Sequence, residues 1–164
     1  MITKNIIKNV ILLLTLIGLL VYANISAIAS ECTNVREEFN FQSYPSDATH
    51  GWYTGFERNV HPLCGGIDID HVVSLKEACE LGLPRDRWVE FANDPENHVP
   101  ACSSINRSKG ALGPEEWLER SRDGRGRDYV ITYFEEYLEL YYYILDKYGL
   151  EKERMEYPSR STGR

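Results

Sequence analysis

The chain has 164 residues, and its 25 acidic side chains outnumber 18 basic ones, for a formal net charge of −7. An acid excess on this scale excludes a protein that grips nucleic acid by general electrostatics, so any such contact needs a local basic patch or a bound cation. The length allows one modest domain with a single core, and no internal repeat divides it.

The first thirty residues differ in kind from the rest. Met1 to Val10 carries Lys4 and Lys8 and no acid, an apolar run follows from Ile11 to about Tyr22, and Ala27-Ile28-Ala29 has the small-x-small form that signal peptidase accepts. Residues 1–29 therefore read as a secretory signal, which places the mature protein outside the cell or in the periplasm. A retained membrane anchor competes, because the apolar stretch is close to spanning length. Its end in small residues rather than a basic stop favours cleavage. Cys32, Cys64, Cys79 and Cys102 follow the signal and form no Cys-x-x-Cys pair, so a four-thiolate zinc site has poor support. In an exported chain they read as two disulfides. Of the three possible pairings, Cys32–Cys64 with Cys79–Cys102 is favoured.

Residues 30–50 are polar and weakly patterned, an arm tied down by Cys32, and 51–157 form the domain proper. Gly65-Gly66 marks a turn. Ile67-Asp68-Ile69-Asp70-His71-Val72-Val73 alternates before ending in two β-branched residues, which predicts a short strand. Ser74, with Glu77 three residues later, has the capping-box pattern and opens a helix that ends near Gly82. Pro84 starts a second helix with Trp88, Val89 and Phe91 as its apolar positions, and Asn93 to Glu96 is a turn. Asn97 to Ala101 is short and extended, and Ile105 to Lys109 is a helical turn closed by Gly110.

Gly113-Pro114 opens a helix carrying Trp117 and Leu118, and Ser121 to Arg127 is a flexible link. The longest periodic element runs from Asp128 to Tyr148 and is stopped by Gly149. Its positions Val130, Ile131, Phe134, Tyr137, Leu138, Tyr141, Ile144 and Leu145 recur at helical spacing, a stripe that reads as core rather than as a platform for stacking bases. Trp88, Phe91 and Trp117 belong in the same core. Residues 158–164 have no pattern and read as a mobile tail. The fold class expected is α+β.

Stripped to its polar residues, the middle of the chain leaves Asp70-His71 near the end of one strand, Asn97 at the start of the next, and Asn106 opening a helix with Arg107, Lys109 and Gly110. Phosphodiester hydrolysis needs what this set can supply. A neutral imidazole, with an ordinary pKa of about 6.5, can take a proton from water near neutral pH. A hard divalent cation takes oxygen ligands, so a carboxylate and an amide carbonyl with waters and phosphate oxygens make a reasonable shell. The basic stretch Ser103 to Arg127, with Arg107, Lys109, Arg120, Arg122, Arg125 and Arg127, is the candidate patch for phosphates.

The segments DIDHVVSLKEACELG and FANDPENHVPACSSINRSKGALGPEEWL resemble the HNH endonuclease superfamily, whose fold is the ββα-metal unit. They are most similar to the small exported branch related to the C-terminal domain of the GmrSD-type restriction enzymes. The resemblance implies a ββα-metal core over residues 67–110, with helices packed around it and a long C-terminal helix. It also implies Asp70 and Asn106 as ligands of one divalent metal ion, His71 as the base that activates water, Asn97 as the residue that braces the loop and orients His71, and Arg107 and Lys109 as contacts to substrate phosphates. Mg²⁺ is the expected ion, with Mn²⁺ or Zn²⁺ as alternatives. The substrate expected is DNA before RNA, cut with low sequence specificity to leave a 5′ phosphate, without a nucleotide cofactor.

A base with an ordinary pKa predicts activity that rises through about pH 6.5. Glu77 could brace the site from its helix or serve only the cap at Ser74, and Asp68 could lie near the metal or simply be an exposed strand residue. His98 could touch substrate, although a plain exposed strand histidine is the simpler reading. Two rivals remain: a non-catalytic nucleic-acid-binding module of the same fold, and a disulfide-stabilised exported interaction protein.

Overall fold

The computed structural model describes residues 2–32, 35–42, 44–122 and 133–156. Two compact units divide the chain, residues 1–34 and 35–164. The first consists of helix α1 (Ile2–Glu31) and the turn at Cys32. Among the described residues no helix is long and apolar enough to cross a membrane.

The second unit mixes helix and strand, in agreement with the α+β expectation. In chain order it holds α2 (Val35–Glu38), β1 (Ile67–His71), α3 (Leu75–Glu80), α4 (Trp88–Ala92), β2 (His98–Cys102), α5 (Ser103–Lys109), α6 (Pro114–Arg122) and α7 (Phe134–Tyr148). Single 3₁₀ turns at Arg85–Arg87 and Pro95–Asn97 lead into α4 and β2. The two strands form one antiparallel pair, from Ile67 opposite Cys102 to His71 opposite His98. Pro100 has no N–H to give, but its carbonyl accepts from the N–H of Trp52 at 2.7 Å, so the segment around Gly51 lies along the free edge of β2.

β1 ends at His71, two residues short of the expected Val73, because Asn97 takes over the pairing. The Asn97 carbonyl accepts the Val72 N–H at 2.9 Å, and the Asn97 side chain takes both backbone groups of Val73. β2 is shifted one residue from Asn97–Ala101 for the same reason. α3 starts as its cap predicts: the Ser74 hydroxyl accepts the Glu77 N–H at 3.1 Å, and Gly82 (φ 85°) follows in a left-handed conformation that favours glycine. α4 has only five residues, and it buries Trp88, Phe91 and Ala92. Val89, expected on the apolar face, is instead 51% exposed, since so short a helix has room for one buried side.

Aromatic rings dominate the core. Phe39 stacks on Trp88 with centroids 4.4 Å apart, and Phe91 meets Tyr148 edge-on at 4.8 Å. Tyr53, Trp117 and Tyr137 form a mutual edge-to-face cluster with centroids 5.0, 5.4 and 5.5 Å apart. Each contact of this kind adds about 0.5–1.5 kcal/mol beyond burial. The expected stripe on α7 is core: Phe134, Tyr137, Leu138, Tyr141, Ile144 and Leu145 are buried, and Gly149 (φ 66°) ends the helix. The expected start of this helix, with Val130 and Ile131, and most of the link before it fall on residues 123–132, outside the described residues, as do the tail residues 158–164.

The favoured disulfide pairing is corrected. Cys64 bonds to Cys102, 38 residues away, rather than to Cys32. The pairing follows from the hairpin: Cys64 lies just before β1 and Cys102 ends β2, so the antiparallel register brings their Cα atoms to 4.5 Å. Cys32 and Cys79 are disulfide-bonded as well, and no cysteine is free.

Candidate functional site

The end of the hairpin gathers most of the residues singled out by sequence. His71, the last residue of β1, is 8% exposed, and its Nε2 lies 2.8 Å from the Ala92 carbonyl at the end of α4. When Nε2 carries the proton and donates it to that carbonyl, Nδ1 is the bare, basic nitrogen of the neutral ring. Phe41 packs edge-on against the imidazole at 4.5 Å. Burial lowers the His71 pKa to about 3; the Ala92 carbonyl opposes this, and the positive fields of His98, Lys109 and Arg36 add to it. The ordinary pKa of about 6.5 assumed for this imidazole does not apply: desolvation keeps it neutral across the physiological range.

Asp70, one residue earlier, is 6% exposed. Its Oδ2 accepts from the Tyr53 hydroxyl and lies 3.0 Å from Lys109 Nζ. Burial raises the Asp70 pKa, while Lys109 and Tyr53 pull it the other way. Lys109 itself is fully buried and also donates to the His71 carbonyl at 2.7 Å. This corrects the expectation that Lys109 reaches substrate phosphates. Its ammonium is spent inside, where an unpaired Asp70 carboxylate would be costly.

Asn97 is fully buried, and its amide spans Val73, accepting the N–H at 2.9 Å and donating to the carbonyl at 3.0 Å. It holds the loop that leaves His71. Asn106 and Arg107 sit on α5, which begins directly after β2, so the strand pair and the helix that follows bring them to the same side as β1.

A cleft of about 380 Å³ joins these parts. Asp70 and His71 line it from β1, Asn106 and Arg107 from α5, Ser74 and Lys76 from the start of α3, and Arg36 from α2. Three cations and one carboxylate therefore line a cleft in a chain of net charge −7. The charge is locally inverted, which suits an anionic ligand. Asp70 and Asn106 are the oxygen donors the cleft offers to a hard cation. Two such donors, completed by water and phosphate oxygens, fit Mg²⁺ better than Zn²⁺. Among the described residues no cluster of three or more His, Cys, Asp or Glu side chains could hold a metal.

Sequence reading missed Arg36 and Tyr53, which reach the site from distant segments, and Lys76, which lies inside the segment DIDHVVSLKEACELG but has no role assigned there. Of the expected basic patch, the side chains of Arg120, Arg122, Arg125 and Arg127 lie outside the described residues. Glu77 serves the cap through its N–H, while its Oε1 accepts from Tyr141 and from Lys152 at 2.6 Å, away from the cleft. Asp68 is exposed.

No protein-family model and no solved structure matches the chain. A protein of Arthroderma benhamiae described as an "uncharacterized secreted protein" is 33% identical over 78 residues. That match covers 43% of this chain and 37% of the relative, so the chain spans well under half of its length.

Proposed function

We propose that this chain is an exported, metal-dependent endonuclease of the HNH type, which hydrolyses phosphodiester bonds in nucleic acid, DNA before RNA, with low sequence specificity. The observation that carries the reading is the single cleft shared by Asp70, His71, Asn106 and Arg107. The antiparallel pair β1 and β2, with α3 and α4 between the strands in sequence and α5 directly after β2, supports reading residues 67–110 as a ββα-metal unit. Secretion is supported by the N-terminal segment, by the disulfide-bonded cysteines and by the relative described as secreted.

In this reading Asp70 and Asn106 would hold one divalent cation, which would supply Lewis acidity toward water and phosphoryl oxygens. His71 takes a proton from the attacking water at Nδ1, while its Nε2–H stays on the Ala92 carbonyl. The imidazole is bare at every physiological pH, and burial makes it a weak base. Arg107, Arg36 and Lys76 hold phosphate oxygens at the cleft wall. Asn97 keeps the His71 loop in place.

One observation favours a second reading, a module that binds phosphates without cutting: Lys109 already neutralises Asp70 from inside. The test is purified protein on supercoiled plasmid and on RNA, with Mg²⁺, Mn²⁺ or Zn²⁺ and with EDTA. Cation-dependent nicking that His71→Ala abolishes supports the nuclease. Retention of nucleic acid without nicking under every cation supports the binding module instead.

A further inference from the structure

His98 stands opposite His71 in the antiparallel register. The two Nε2 atoms are 3.2 Å apart, and both face the same carbonyl, that of Ala92, at 2.8 Å from His71 and 3.0 Å from His98. The rings meet edge-to-face at 4.7 Å, and Phe41 packs against both. Tyr44 lies beyond His98 at 6.2 Å.

Each neutral imidazole carries one N–H, so the three atoms allow few arrangements. If both rings carried the proton on Nε2, two hydrogens would crowd between nitrogens 3.2 Å apart. If neither did, the buried carbonyl would lack a donor and two lone pairs would face each other. One proton for the trio satisfies all three atoms. It sits either on His71, leaving His71 Nδ1 bare, or on His98, leaving His71 protonated at Nδ1 and useless as a base there.

Two features favour the first. The His71 contact to Ala92 is the shorter one. His98 is only half-buried, so its Nδ1–H can reach water.

We propose that His98 is a positioning residue for His71: it keeps its proton on Nδ1 and presents a bare Nε2 to the Nε2–H of His71, which locks His71 in the tautomer whose Nδ1 is free. The proposal rests on the reading of His71 as the base, but its first test does not.

Long-range proton–nitrogen NMR of the histidine rings in the full-length protein reports each tautomer directly. The expected result is Nε2–H on His71 and Nδ1–H on His98. In His98→Phe the acceptor is gone and His71 is expected to populate both tautomers, whereas His98→Gln, whose amide oxygen can stand in for the ring nitrogen, restores one. On plasmid, His98→Phe should lower kcat about tenfold with little change in KM, and His98→Gln should recover most of the loss.

A wild-type His71 carrying Nδ1–H, or a His71 tautomer unchanged in His98→Phe, overturns the proposal. If the wild-type protein cuts nothing under any cation, the nuclease reading fails, and the NMR result still decides the role of His98.

Discussion

Asn97 and Val73 are paired as though the β-ladder ran one step further, with a side-chain amide standing in for a strand: Oδ1 accepts the Val73 N–H at 2.9 Å and Nδ2 donates to the Val73 carbonyl at 3.0 Å. Asn97→Ala leaves both backbone groups buried and unpaired, at a cost of about 2–4 kcal/mol. Urea denaturation should register that loss. Asn97→Asp keeps the acceptor but buries an unpaired carboxylate against the Val73 carbonyl, and should cost at least as much.

The buried imidazole makes stability depend on pH in a defined direction. His71 titrates at about 3 when folded and near 6.5 when unfolded, so between these values the unfolded chain binds the extra proton. Stability is therefore lost as pH falls through 6.5, by about 2 kcal/mol between pH 7 and pH 5. Asp70, raised by burial, holds its proton more tightly when folded and opposes the trend at the acid end. Comparing His71→Gln with wild type isolates the imidazole: the variant should lack most of this slope in denaturation midpoints.

Much of this region can be read from sequence, and the reason is locality. The cap at Ser74, the alternation of β1 and the stop at Gly149 are each decided within four or five residues, and all three hold. The tie between Cys64 and Cys102, the interior position of Lys109 and the approach of Arg36 to the cleft depend on contacts 30 residues or more apart or on burial alone. A lysine two residues after Arg107 on the same short helix looks like a second phosphate contact until its depth is known.

Lys109→Met removes the cation from a buried carboxylate and should destabilise the protein by about 3–5 kcal/mol. Asp70→Asn in the same chain should recover a large part of that, because the uncompensated charge is gone. A thermal-melt double-mutant cycle checks the coupling, and additive losses would mean that the pair is not energetically linked.

Gly51 packs against the end of β2 so closely that an added Cβ would lie 2.7 Å from the Cys102 backbone nitrogen and from its sulfur. Gly51→Ala must push the strand or the disulfide aside, which should cost about 1–3 kcal/mol. Calorimetric melting of the oxidised protein provides the measurement.

Arg36, Lys76 and Arg107 are the exposed cations of the cleft. Replacing any one with Ala should weaken DNA binding and reduce the slope of log affinity against log salt by about one. Fluorescence anisotropy in Ca²⁺ from 50 to 200 mM salt, on the order used for such titrations, would read both effects. Unchanged slopes in all three variants would place the binding surface elsewhere.

On the nuclease reading, a phosphodiester in the cleft would meet no bare carboxylate, since Lys109 pairs with Asp70 at 3.0 Å. On that reading Arg36, Lys76 and Arg107 would hold the polyanion without an added ion. Docking and scission then become separable events, and a chelator should silence the second while sparing the first.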